Sequence, residues 1–218
     1  NRALSYFDEG DYVQAFKLFE STDKRCVAKD ERTGFNFRKG YCKMRVGDAP
    51  GAINIFKGII SEGNSPYLTP SLYYCGYLHY ANKEFQKAIP FLERAKSDKR
   101  FNLLSRYHIL ESNYMLKDYS HVTTNGPALY NEIDEQSRPN VARIISEAYY
   151  AIKDTQKAKY YFELYSLGGR NLSKSDNFYA GMIAYTLGNH ISIGRIGGGG
   201  DGFIFLTGEL PAGQVHIG

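Results

Sequence analysis

The sequence predicts an all-α protein built as a stack of helical hairpins, and three observations carry that expectation. A small residue followed four positions later by a large apolar one recurs along the chain. The pairs are Ala15 and Phe19 in "YVQAFKLF", Ala52 and Phe56 in "PGAINIF", Ala88 and Leu92 in "FQKAIPFL", and Ala158 and Phe162 in "TQKAKYYF". A second small residue stands upstream of each Ala, at Ala3, Gly40, Gly76 and Ser146. Between the two lies a short turn rich in Gly, Asp or Asn, such as "DEGDY", "RVGDAP" and "ANKEF", residues that end one helix and cap the next.

The period is about 36 residues, the size of a hairpin-stacking unit. Small residues let two helices approach closely, and apolar residues four apart form the ridge that packs between them. One hairpin cannot bury its own apolar face, so hairpins stack. Taken in order, the units span about 1–32, 33–68, 69–102, 103–138, 139–172 and 173–190. The interval from Ala88 to Ala158 holds two periods, so a weaker fourth unit lies between them, around Tyr119 and Val122 in "KDYSHVTTNG". Its second helix should be ended or kinked by Gly126 and Pro127, because Pro removes a helical N–H and its ring crowds the preceding turn. The first unit lacks its opening residues. The sixth opens well in "FYAGMIAYTLGNH" and then gives way to glycine, so a longer natural protein with apolar repeat ends is expected.

From Gly194 to Gly218 the chain has nine glycines, against 22 in all 218 residues. Such density does not sustain a helix. Residues 191–218 are therefore set apart from the 1–190 repeat domain as a Gly-rich non-helical tail. It is either a non-native segment in place of the true continuation or a natural tail that docks elsewhere. "GRIGGGGDG" lacks the Lys-Ser/Thr and the strand–loop–helix setting of a phosphate-binding loop. "FIFLT" (Phe203 to Thr207) and "GQVHIG" read as strand-like, and a hairpin of the two would need a partner surface.

Composition narrows the function. The net charge of +4 is mild, and a nucleic-acid binder would cluster Lys and Arg on one face. No apolar run is long enough for a membrane span, and no signal peptide is visible. Cys26, Cys42 and Cys75 have no metal-ligand spacing, and the five histidines form neither HExxH nor a Cys/His set. "NEIDEQ" (Asn131 to Gln136) and "KSDKR" (Lys96 to Arg100) read as solvated loops. No catalytic residue, metal or cofactor is expected. The unusual feature is aromatic: 19 Tyr and 13 Phe with no Trp, and Tyr suits half-buried faces that bind.

The small–large pattern, with its period and turns, resembles the tetratricopeptide repeat over about residues 1–190. The third unit carries Gly76, Ala88, Leu92 and Ala95 at the family's signature places, and the first carries Ala3, Tyr6, Ala15 and Phe19. The resemblance implies a right-handed superhelical solenoid of about five hairpins plus a partial sixth. It also implies that the first helix of each hairpin lines a concave groove. Carried onto this chain, the groove rows hold Phe37, Tyr73, Tyr107, Arg143 and Phe178; Tyr41, Tyr77, Glu111 and Glu147; and Tyr80, Tyr114, Tyr150 and Tyr185. Tyr73, Tyr77 and Tyr80 are spaced to share one helix face, whereas Tyr74 and Leu78 point to the packing side.

The stripe either binds or packs within a tightly curled superhelix. The Lys and Asn with which the family grips a terminal carboxylate are replaced by Phe37, Tyr41, Tyr73 and Tyr77. The expectation is a protein-interaction scaffold that takes a peptide or protein in the Tyr/Phe-lined groove. The alternative is an assembly component that self-associates, as a homo-oligomer, through its repeat ends and tail. The Tyr/Asn/Lys-rich style of the repeats is similar to cell-envelope tetratricopeptide proteins of the Bacteroidetes, which favours a periplasmic or envelope location over the cytoplasm.

Overall fold

The computed structural model describes residues 2–168 and 172–188; the tail at 191–218 lies outside them. Among the described residues there are eleven α-helices and no strand. They are α1 (Arg2–Asp8), α2 (Tyr12–Ser21), α3 (Arg32–Arg45), α4 (Ala49–Glu62), α5 (Leu68–Ala81), α6 (Phe85–Ala95), α7 (Asn102–Met115), α8 (Tyr119–Glu132), α9 (Arg138–Ala151), α10 (Thr155–Ser166) and α11 (Lys174–Thr186). The chain divides into two compact units. One ends at Leu116 and holds α1 to α7; the other begins at Lys117 and holds α8 to α11. Within each unit every helix packs on the next in sequence.

The small residues act as the spacing requires. Ala15, Ala52, Ala88 and Ala158 are fully buried, as are Phe19, Phe56 and Leu92. Gly76 allows the closest approach: a Cβ there would stand 2.7 Å from Leu92 Cγ and 3.2 Å from the Ala88 carbonyl oxygen. The fifth hairpin has Ser146 at the matching place, and its hydroxyl donates to the Ala158 carbonyl at 2.6 Å. One position thus serves as a spacer in one hairpin and as a hydrogen-bonded tie in another.

The turns inside the hairpins share one geometry. Gly10, Gly47, Lys83, Lys117, Lys153 and Gly188 all have positive φ, from 62° to 90°. Each stands just after a helix C-terminus. Lys83 N–H returns to Tyr80 O and Glu84 N–H to His79 O, and Lys153 and Asp154 repeat that pattern onto Tyr150 and Tyr149. These are the paired bonds of a left-handed helix stop. In four of the five hairpins described, the next residue then caps the following helix. Asp11, Asp48, Asp118 and Asp154 accept from the N–H groups of Gln14, Gly51, His121 and Lys157. Glu84 takes a different part: it makes no cap bond and instead accepts from His79 Nδ1 at 2.7 Å.

The fourth repeat corrects the sequence expectation. α8 runs unbroken through Gly126 and Pro127 to Glu132. Pro127 has no N–H for the Thr123 carbonyl, the partner it would have in an α-helix. The phenol of Tyr149 donates to that carbonyl instead, at 3.2 Å. A side chain from α9 thereby supplies the hydrogen bond that proline removes, and the helix continues. α6 likewise carries Pro90 inside it.

Candidate partner-binding face

The first helices α3, α5 and α7 carry the aromatic rows of the first unit. Phe37 packs with Tyr67 at a ring-centroid separation of 5.1 Å, and also against Phe56 and Tyr74. Tyr41 meets Phe7, Tyr12 and Tyr74 edge-on at 5.3–5.6 Å, and Arg45 lies over the Tyr12 ring. These rings are half-buried and mutually fixed. Edge-on arrangements favour the ring quadrupoles and add to the area they bury.

On α5 the tyrosines part company. Tyr73 does not present its ring: it is buried against Phe101 at 5.0 Å, and burial pushes its phenol up to about 12. Its place on the expected binding row is therefore corrected to a supporting one. The ring stacks under Tyr77 at 6.3 Å and 18°, and Tyr77 is the exposed member. Tyr74 and Leu78 face the packing side as expected, within the core around Phe56 and Ile59.

α7 brings a carboxylate to this group. Tyr80 donates to Glu111 Oε2 at 2.6 Å and Tyr107 donates to Oε1 at 2.9 Å. His108 Nδ1 stands 3.8 Å from the same carboxylate, within ion-pair reach but too far for a hydrogen bond. Its Nε2 meets the Tyr73 hydroxyl at 3.4 Å, and its ring lies 4.6 Å from that of Tyr80. Burial alone would raise the Glu111 carboxyl; the neighbouring His108, Tyr80 and Tyr107 outweigh it and hold the group below the ordinary glutamate range. Burial and then Glu111 push the Tyr80 phenol upward. An ionised carboxylate thus locks two phenols, and with them the rim around Tyr77. Tyr114 is half-buried at the end of α7.

In the second unit, Arg143 donates to Glu147 at 2.7 Å and to Asn140 at 3.1 Å. The two expected charges pair with each other along α9. Tyr150 meets Tyr179 edge-on at 5.4 Å. Phe178 and Tyr185 on α11 are 71% and 77% exposed.

The sequence reading passed over His108, the residue around which Tyr73, Tyr77, Tyr80 and Tyr107 gather. Its signal was present: it stands three residues before Glu111 on the same helix, a spacing that places both on one face. Among the described residues, no group of three His, Cys, Asp or Glu could hold a metal ion, and no helix is long and apolar enough to cross a membrane.

No protein-family profile and no curated protein match the chain. Solved structures do. The chain is similar to MamA AMB-1, with a TM-score of 0.67 and 14% identity over 81% of this chain and 93% of that one. It is similar to the C-terminal part of a TPR repeat-containing protein from Cytophaga hutchinsonii, with a TM-score of 0.67 and 15% identity over 86% and 70%. It is also similar to the TPR-like repeats of a putative kinesin light chain from Podosopora anserina, with a TM-score of 0.57 and 16% identity over 76% and 90%. At such identities the likeness speaks to architecture, and it agrees with hairpins of this period, small–large packing and turn chemistry: the chain has the fold of tetratricopeptide-repeat proteins.

Proposed function

We propose that the protein is a non-catalytic interaction scaffold that binds a peptide or protein partner on the aromatic face of α5 and α7. The observation that supports this most is Tyr77. Its ring is exposed, stacked from below by buried Tyr73, and flanked by Tyr80, whose hydroxyl is fixed on Glu111. A ring held this way loses little freedom when a ligand covers it, so contact area converts efficiently into affinity. Exposed and pre-fixed tyrosine is the usual material of peptide-recognition surfaces.

The test is selection of ligands from a displayed peptide library on the full chain, followed by Tyr77→Ala and Tyr114→Ala. Both variants should keep their melting temperature to within a few degrees. Tyr77→Ala should weaken selected peptides by about tenfold or more, the range of an interface aromatic anchor. Peptides that bind the Tyr77 variant as well as the parent would move the site elsewhere. Self-association is the second reading, and the exposure of Phe178 and Tyr185 on α11 favours it.

A further inference from the structure

The junction between the first two hairpins holds a cavity of about 530 Å³, within the range of small-molecule sites. It is bounded by the end of α2, the connection to α3, the first turns of α3, and Tyr67. Leu4, Phe35 and Val27 give it apolar surface, and Arg38, Asp30 and Glu31 line it with charge. Gly34 lines it beside Tyr67 and Arg38. A Cβ added there would come within 2.9 Å of the Tyr67 hydroxyl and 3.1 Å of Arg38 Nη1. A phenol donor and a guanidinium donor therefore converge where this helix has no side chain.

The charges of this cavity differ from those around it. Nearby, Arg25 pairs with Asp23, and Lys39 with Glu20. Among the described residues, no hydrogen bond or ion pair engages the side chains of Arg38, Asp30 or Glu31, or the Tyr67 hydroxyl. Glu31 precedes α3 yet makes no side-chain cap bond. A simple anion drawn to Arg38 and Tyr67 would meet two carboxylates. A simple cation drawn to the carboxylates would meet the guanidinium. A small molecule with both charges and an apolar body satisfies every wall.

We propose that this cavity binds a free α-amino acid with an apolar side chain. Its carboxylate lies on Arg38 and Tyr67, its ammonium on Asp30 and Glu31, and its side chain against Leu4, Phe35 and Val27. Arg suits the first role because its fork matches a carboxylate. The site is separate from the Tyr77 face and does not rest on that reading.

The molecule carries its own reporter. Cys26 is exposed and lines the cavity. Cys42 and Cys75 are buried, and burial pushes both thiols up to about 11. Alkylation of the native full chain near pH 8 therefore reads Cys26. Its rate is measured with millimolar L-leucine, N-acetyl-leucine and leucinamide; each of the last two lacks one charge. Leucine at twice its dissociation constant should slow the reaction about threefold, by simple occupancy, and each analogue should protect far less. Arg38→Gln and Tyr67→Phe should both abolish the protection by leucine. Tyr67→Phe keeps the ring and removes only the hydroxyl, so it decides the matter should Arg38→Gln fail to fold. Equal protection by the three compounds, no protection by any, or protection unchanged in a folded variant overturns the proposal.

Discussion

Single residues in this protein divide by whether a neighbour occupies the space beside them, and glycine shows the division best. Gly58 lies exposed inside α4, with nothing within 4 Å of an added Cβ. Gly58→Ala should stabilise by about 0.5–1 kcal/mol, since glycine in a helix interior costs that much backbone entropy. Gly76→Ala should destabilise by about 1–3 kcal/mol, the usual cost of overpacking, because Leu92 stands where the methyl would go. Urea midpoints of the two variants check the pair, and equal shifts would refute the packing account. Glu111 gives a second prediction at this scale. Its folded carboxyl titrates below its ordinary value of 4.5, so the proton binds the unfolded chain more readily. That contribution to stability is complete above about pH 4.5 and is lost as pH falls through the lowered folded value. Glu111→Gln should therefore flatten the acid limb of the melting-temperature profile and leave its shape above pH 6 unchanged. An acid limb of the same slope in both proteins would place the titration elsewhere.

Helices and turns obey a stricter register than the residues that first reveal it. Among the described residues, each of the five hairpins stops its first helix with one residue of positive φ, filled twice by glycine and three times by lysine, and α11 ends in the same way at Gly188. A left-handed non-glycine residue costs about 1–2 kcal/mol, partly offset by the greater freedom glycine has when unfolded. Lys153→Gly should thus gain roughly 0.5 kcal/mol in urea unfolding, and Gly47→Ala should lose stability. A loss in the lysine variant would mean that the lysine side chain contributes more than the backbone strain costs. The same register explains what could be read from the chain. Small–large pairs announce four hairpins, and three of those four also carry an Asp cap, because these residues are needed at fixed places. The fourth hairpin was obscured because its sizes are exchanged: buried Leu110 stands where the others have Ala, Gly or Ser, and buried Gly126 where they have Phe or Leu. A pattern search built on residue type misses an exchange that leaves summed volume nearly unchanged. Pro127 misled for a similar reason, since its cost depends on Tyr149, a side chain 22 residues away that local sequence does not connect to it. The aromatic face was half legible. Helical spacing assembled Tyr73, Tyr77 and Tyr80, but burial alone separates the supporting ring from the presented one.

At the scale of the whole molecule, repeat proteins gain stability from each interface between neighbouring hairpins, so an exposed apolar helix face has a cost that association can remove. Phe178 and Tyr185 lie seven residues apart on α11, two turns along one face, and both rings are mostly exposed. Ile183 on the same helix is buried, whereas these two rings are not. Replacing both by serine should therefore leave the folded state intact. Light scattering coupled to size exclusion on the full 24.7 kDa chain should show a mass that rises with loading concentration, and Phe178→Ser/Tyr185→Ser should hold it at the monomer. The tyrosine face on α5 predicts the reverse dependence: Tyr77→Ala should leave the mass unchanged while weakening selected peptides. A parent that stays monomeric at every concentration removes self-association and leaves the partner face as the function. A Tyr77 variant that loses mass instead would show that the two surfaces serve one assembly, with α5 of one copy meeting another copy of the same chain.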